Sequence, residues 1–242
     1  MAQLVASHDG IGVRPAEGLL SEEELGYFLN TMKDFGGTIS HHKKTNGAEK
    51  PYEINISLWD AMKGTSQGPD AYQYERYICA HTILLALEGL PAFYIHSLLG
   101  TENAVELKKE TGRARSINRH QWELGNLSEA LCSDDLHHRR VLDELKRRIQ
   151  IRRKQTAFHP NATQYTLHFG DSIFAFWRES LERDKNIFAL HNVSAEEQEV
   201  SLVELNLTNT ETWHDLLSET VYSDIQGTFK IPPYGCVWIC NQ

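Results

Sequence analysis

The hydrophobic rhythm of this chain changes once, just after Pro160, and that change limits the folds open to it. Before it, segments with apolar residues at helical spacing alternate with short, nearly continuous apolar runs and long polar stretches. After it come "YTLHF", "IFAFWRES", "NIFALHNVS", "EVSLVEL" and "CVWIC", runs rich in aromatic and β-branched residues separated by Gly, Asn, Asp and Ser. The first pattern predicts an α/β region with a parallel sheet covered by helices. The second predicts an antiparallel β domain. The expected boundary divides the 242 residues into 1–155 and 156–242, and a chain of this length buries a substantial core.

Within the first region, Ser21 and Glu24 form a capping box, Leu25, Phe28, Leu29 and Met32 share one face, and Gly36-Gly37 ends the helix. Residues 38–51 are polar and basic with an Asn46-Gly47 turn signal, which predicts a long loop. In "YEINISLW" the alternation of Tyr52, Ile54, Ile56 and Leu58 predicts a half-exposed extended segment. Pro69 opens a second helix that runs to about Glu88, and "PAFYIHSL" follows as a buried strand. Residues 96–133 read as a polar excursion. A last helix from about Asp135 to Lys154 places Val141, Leu142, Leu145 and Ile149 on one side.

A formal charge of −9, from 33 acidic and 24 basic residues, argues against nucleic acid as a partner. "KRRIQIRRK" (146–154) is basic but lacks aromatic interleaving, so it reads as a solvated helix face. The most apolar window, 81–100, is broken by Glu88, Pro91 and His96 and does not span a membrane. Cys79, Cys132, Cys236 and Cys240 are scattered, which fits reduced thiols in a cytoplasmic protein. His41-His42 and His137-His138 have no third ligand at a useful spacing and read as surface residues, so no metal is expected.

Chemistry concentrates in two places. In "LVASHDGIGVRP" (4–15) an apolar run ends in His8-Asp9-Gly10, which puts an imidazole and a carboxylate at the mouth of an expected strand, where barrel active sites are built. Taken alone, Asp-Gly reads as a turn before it reads as a site. In "GRARSINRHQW" (112–122), Arg113, Arg115 and Arg119 flank Asn118, with His120 following. Guanidinium groups fork onto vicinal hydroxyls, carboxylates or phosphates, and a solvated basic loop is the plain alternative.

Taken together, "ASHDGIGVRPAEGLLS", "PYEINISLWDA", "GLPAFYIHSLLGTEN", "GRARSINRHQW" and "RRKQTAFHPNATQ" resemble the sucrose phosphorylase-like branch of the alpha-amylase superfamily, glycoside hydrolase family 13, over essentially the whole chain. The resemblance implies the last two strands and helices of a (β/α)8 barrel, with residues 3–8 on strand seven and 91–96 on strand eight, followed by a C-terminal β domain. It implies that His8 bonds glucosyl hydroxyls and that Asp9 grips the ring as it flattens toward an oxocarbenium ion. Arg119 would hold the far side of the same sugar, and Tyr52 would lie in a loop over the acceptor position that helps bind phosphate. The implied reaction moves glucose from an α-glucoside to inorganic phosphate, giving α-glucose 1-phosphate, with no cofactor.

One departure accompanies the match. Retaining enzymes of this kind need a carboxylate nucleophile and a second carboxyl as acid and base, about 5 Å apart. The family carries them on strands four and five, and none of the 33 acids here stands in a comparable setting. The sequence therefore reads as the C-terminal part of a larger enzyme, from a truncated gene, a split gene or a cloned portion, inactive alone and open to self-association through an exposed barrel edge. The acceptor stays open between fructose, fructose 6-phosphate and glycerate. Arg14, His41, His42, Lys43 and Lys44 would suit an anionic one. A non-catalytic carbohydrate-binding or interaction module is the reading from a different class.

Overall fold

The computed structural model describes residues 2–43, 49–134, 136–205, 207 and 211–241. Lys44, the Asn46-Gly47 turn and the Asp135 helix start lie outside the described residues. In chain order the elements are β1 (Ala2–Gln3), β2 (Ile11–Gly12), α1 (Glu22–Asp34), β3 (Thr38–Lys43), β4 (Glu49–Asn55), α2 (Leu58–Ala61), β5 (Gly64–Thr65), β6 (Gly68–Pro69), α3 (Gln73–Ala86) and β7 (Leu90–Pro91). They continue with α4 (Ile95–Leu98), α5 (Val105–Thr111), α6 (Leu124–Cys132), α7 (His137–Arg153), β8 (Thr163–His168), β9 (Ile173–Glu179), β10 (Asn186–Asn192), β11 (Gln198–Ser201), β12 (Trp213–Asp215), β13 (Val221–Tyr222), β14 (Thr228–Ile231) and β15 (Cys236–Asn241). The chain divides into two compact units, one of residues 4–77 and 93–143, the other of residues 1–3, 78–92 and 144–242. Among the described residues no helix is long and apolar enough to cross a membrane.

In the first unit the capping box forms as the sequence requires: the Ser21 Oγ accepts from the Glu24 amide at 3.2 Å, and the Glu24 carboxylate accepts from the Ser21 amide at 2.8 Å. Leu25, Leu29 and Met32 of α1 pack with Val13, Phe35, Ile54 and Ile56, while Phe28 stays partly exposed. Within the expected loop 38–51, residues 38–43 instead form β3 and 49–51 begin β4, and the two strands pair antiparallel with a bulge between Ser40 and His41. The far half of β3 is exposed on both faces, so no alternation of apolar residues marked it as a strand. In β4, Glu53 and Asn55 are buried alongside Ile54, because Asn55 donates to the Thr38 carbonyl and Ser40 Oγ and Glu53 meets an arginine described below.

The expected strand over "PAFYIHSL" stops after two residues, and Ile95–Leu98 is a helical turn. There the buried Tyr77 hydroxyl donates to the Ser97 carbonyl at 2.6 Å, a bond that fixes the turn and that a strand would not present. His137 and His138, expected at the surface, are packed: His137 stacks on Trp59 with ring centroids 3.9 Å apart and bonds the Gly100 carbonyl, and His138 bonds the Leu99 carbonyl.

In the second unit β1 and β7 pair in parallel, Ala2 opposite Leu90 and Gln3 opposite Pro91. The antiparallel β domain is as expected: six strands in the order β13-β12-β15-β10-β9-β8, and a separate β11-β14 pair. Ile173, Phe188, Leu190, Val237 and Ile239 from the larger sheet share a core with Val200 and Ile231 from the smaller. The basic face of α7 is only partly solvated. Arg148 donates to Thr82 Oγ1 at 2.7 Å and pairs with Glu144, and Arg152 donates to the Leu85 and Gly89 carbonyls. The fully buried Arg178 donates to the Ala86 and His159 carbonyls, and burial pushes its pKa down to about 10. These guanidinium groups satisfy carbonyls left over at helix ends and loops, where an unpaired carbonyl would be costly.

The central strand β10 is buried on both faces, and this sets a pH limit on the unit. His191 is fully buried with one ring nitrogen bonded to the Phe174 carbonyl, and desolvation pushes its pKa down to about 4. A folded pKa below the unfolded value of about 6.5 means the unfolded chain takes up more protons in between. We therefore expect unfolding free energy to fall by about 3 kcal/mol between pH 6.5 and 4 from this residue. Urea melts at stepped pH on the wild type and on His191→Gln should show the variant losing less over that window; equal slopes would show that His191 does not titrate on unfolding.

Candidate functional site

The segment Leu4–Gly10 is irregular, and its shape is imposed by side chains from a short helical turn, Ala114–Asn118, more than a hundred residues later. The Asn118 amide donates to the Ser7 carbonyl at 2.6 Å and to the Asp9 carbonyl at 3.0 Å. Arg119 Nε donates to the His8 carbonyl at 2.9 Å, and the Asp9 amide donates to Ser7 Oγ at 3.1 Å. The Asn118 carbonyl in turn accepts from the Tyr94 hydroxyl at 2.8 Å. On the other side β2 lies against β4, Ile11 opposite Ile54, and Gly10 is pressed so close that a Cβ would sit 2.5 Å from the Ile54 carbonyl oxygen and 2.6 Å from the Glu53 side chain. Only glycine fits there.

Three groups converge on one oxygen of Asp9. Arg115 Nη1 stands 2.8 Å from Oδ1, Arg119 Nη2 3.3 Å and His8 Nε2 3.6 Å. The other oxygen takes none of these contacts. Arg115 is itself anchored: its Nε and Nη2 donate to both oxygens of Glu53, at 3.0 and 2.7 Å, in the fork geometry of a bidentate pair. Glu53 is only 5% exposed, so this anchor joins a buried carboxylate to a partly exposed arginine that reaches out to a half-exposed carboxylate. Hydrogen bonds to Glu53, then the fields of Glu53, Asp9 and Tyr52, hold the Arg115 guanidinium far above its ordinary pKa. Next to the site, burial pushes the imidazoles of His96 and His120 down, each further lowered by a neighbouring histidine.

His8, Asp9 and Arg119, singled out from the sequence, are thus together in space. Tyr52 stands beside Glu53 on β4; its carbonyl accepts from the Val13 amide, and its partly exposed ring meets His42 edge-on at 5.9 Å. A cavity of about 190 Å³ opens against Ser7, Asp9, Gly10, Ile56, Leu58 and Asn118. The sequence marks Arg115 only as one of three arginines of a basic loop and gives no sign that Glu53 is its partner. A carboxylate held by arginines through one oxygen can accept hydrogen bonds from hydroxyls, and it can stabilise positive charge developing beside it.

No family model matches the chain. In sequence it is 36% identical over 195 residues to glucosylglycerate phosphorylase of Spirochaeta thermophila, an alignment that covers 81% of this chain and 33% of that one. In fold it superposes on sucrose 6F-phosphate phosphorylase from Thermoanaerobacter thermosaccharolyticum with a TM-score of 0.64 at 22% identity, covering 79% of this chain and 36% of that one. It superposes on an alpha-amylase from Geobacillus thermoleovorans with a TM-score of 0.53 at 16% identity, covering 69% of this chain and 33% of that one. The chain spans about a third of the length of the first curated relative it matches.

The fold is therefore that of the last strands and helices of an alpha-amylase-type (β/α)8 barrel with its C-terminal antiparallel β domain. Within that class the chain resembles the C-terminal portion of the sucrose phosphorylase-like branch, whose matching members are glycoside phosphorylases.

The close fit at Gly10 gives a direct check. Gly10→Ala should lower stability by about 2 kcal/mol, since the methyl meets backbone that cannot yield cheaply. Gly26→Ala, on the open side of α1 with nothing within 4 Å of the new carbon, should not. Chemical denaturation of both variants reads the difference, and equal melting behaviour would mean the 8–10 segment is not pressed against β4 in solution.

Proposed function

We propose that this chain supplies the transition-state-stabilising part of a retaining glycoside phosphorylase that transfers glucose from an α-glucoside to inorganic phosphate, with an anionic acceptor such as glycerate. The single observation that carries this reading is the Asp9 carboxylate held on one side by Arg115 and Arg119. Such a group is costless to reorganise as an oxocarbenium-like charge grows beside it. In this reading His8 and Arg119 contact the glucosyl hydroxyls and Tyr52 faces the phosphate and acceptor position. The glucosylglycerate phosphorylase relative favours glycerate over fructose as acceptor. Exposed His41, His42 and Lys43 on β3 supply positive charge suited to a carboxylate. Residues 1–155 serve as barrel and 156–242 as its β cap, in a cytoplasmic enzyme with no metal or organic cofactor. The nucleophile and the acid/base come from chain outside these 242 residues.

Two outcomes test this. Joined to the remaining barrel strands of a phosphorylase, the chain should support glucose 1-phosphate release from glucosylglycerate, and Asp9→Asn should lower kcat about 10²-fold or more with a smaller change in KM. An unchanged kcat would remove Asp9 from the reaction. By itself the chain should release no glucose 1-phosphate from glucosylglycerate, sucrose or sucrose 6'-phosphate, and should elute larger than its 27.7 kDa because the β1-β7 pair has no further strand on either edge among the described residues. Turnover that tracks the pure chain and is lost in Asp9→Ala would overturn the division of labour.

A further inference from the structure

The second unit contains a feature that sugar chemistry does not use. Cys79 on α3 and Cys236 at the start of β15 are far apart in sequence, yet both come to the same backbone junction. The Cys79 thiol donates to the Asn192 carbonyl at 3.6 Å. Asn192 ends β10; its amide donates at 2.9 Å to the Gly235 carbonyl, and the residue before it, His191, stands opposite Cys236 in the ladder. Both cysteines thus adjoin the Asn192–Gly235 junction, where each thiol acts on the other and Thr82 and Arg148 act on the Cys236 thiol. Thr82 lies one turn along α3 from Cys79 and is held by Arg148 Nη1 at 2.7 Å. Neither cysteine is in a disulfide, and Cys236 is only partly covered, whereas Cys79 is 3% exposed.

A thiol bonded by a hydroxyl, a second thiol and a guanidinium is the environment that favours its thiolate. Burial alone would push Cys236 up, but these neighbours together bring it down, while the bond to Cys236 and then burial push Cys79 up. The asymmetry is that of an attacking and a resolving cysteine. Cys132, exposed, and Cys240, buried and bonded to its own chain's Asn241 carbonyl at 3.1 Å, have no such neighbour among the described residues.

We propose that Cys79 and Cys236 form a reversible thiol–disulfide pair, a modification site for hydroperoxides that covalently ties α3 to β15. The Cys236 thiolate attacks a peroxide oxygen: the S–O bond forms, the O–O bond breaks, and hydroxide, or alkoxide from an organic hydroperoxide, leaves to collect the proton that Cys236 gave up. The Cys79 sulfur then attacks the sulfenic sulfur: the S–S bond forms, the S–O bond breaks, and the departing hydroxide takes the Cys79 proton. Two thiols lose two electrons, and the hydroperoxide is reduced to water and water or alcohol. Arg148 positions the first thiolate, and Asn192 orients the second thiol. The link would join α3 to β15 across more than 150 residues of chain, a constraint that acts chiefly on the unfolded state.

The test uses the full chain. It is exposed to a small excess of hydrogen peroxide at neutral pH, alkylated under denaturing conditions without reductant, and mapped by mass spectrometry. The expected result is a Cys79–Cys236 linked peptide lighter by two hydrogens, with Cys132 and Cys240 alkylated, and full reversal by dithiothreitol. The oxidised chain should also melt higher, by roughly 5 °C or more. In Cys79→Ser the sulfenic acid at Cys236 should persist long enough to be trapped by dimedone, and Arg148→Met should slow disulfide formation at least several-fold. Alkylation of both Cys79 and Cys236 in the peroxide-treated wild type would overturn the proposal without any variant having to fold. So would a Cys236 sulfenic or sulfinic acid that forms equally in wild type and Cys79→Ser.

Discussion

The bidentate pair between Glu53 and Arg115 is the interaction on which the first unit's candidate site depends. A buried carboxylate alone would carry a large desolvation penalty, and a lone arginine in a loop would be disordered by its own side-chain entropy. Joined in a fork at 3.0 and 2.7 Å, each removes the other's cost and leaves one arm of the guanidinium pointing at Asp9. The carboxylate at the end of this chain of contacts is therefore fixed by a strand from one part of the sequence and a helical turn from another. Removing Arg115 would leave Glu53 buried without this partner, which is worse than never having built the pair.

The same economy recurs elsewhere. Asn118 reads two carbonyls of the Ser7–Asp9 segment, and Arg152 and Arg178 close carbonyls at the ends of α3 and the loop before β8. Irregular backbone persists in a folded protein only where its polar groups find partners, and long planar side chains are the ones that reach several at once. The basic sequence 146–154 reads as a solvated stripe when charge is counted, but Arg148 and Arg152 act as internal donors once the helix is seen against what it packs on.

Elements with strong local signals were legible. The Ser21 cap, the helical faces of α1 and α7 and the alternating strands after residue 160 all follow from short-range chemistry, whereas the pairing of His8-Asp9 with Arg119 is implied only by the resemblance of the motifs to a known family. Elements whose identity depends on a distant partner were not. The strand Thr38–Lys43 carries no apolar rhythm because half of it faces solvent on both sides. The run "PAFYIHSL" looks like one strand, yet it bends into a helical turn fixed by the Tyr77 hydroxyl. His137-His138 looks like surface and is stacked on Trp59.

The sequence by itself determined the class of fold and the β domain, because capping and periodicity are local properties, and it offered His8, Asp9 and Arg119 as one site only through the resemblance of its motifs to a known family. Tertiary structure alone decided that Arg115 rather than Arg119 makes the shortest contact with that carboxylate. It alone brought Glu53, 62 residues from Arg115, in to anchor that arginine, and set Cys79 beside Cys236. The reason is physical: a charge or a thiol is defined by what surrounds it after folding, and its surroundings are assembled from chain segments whose order in sequence carries no trace of their meeting.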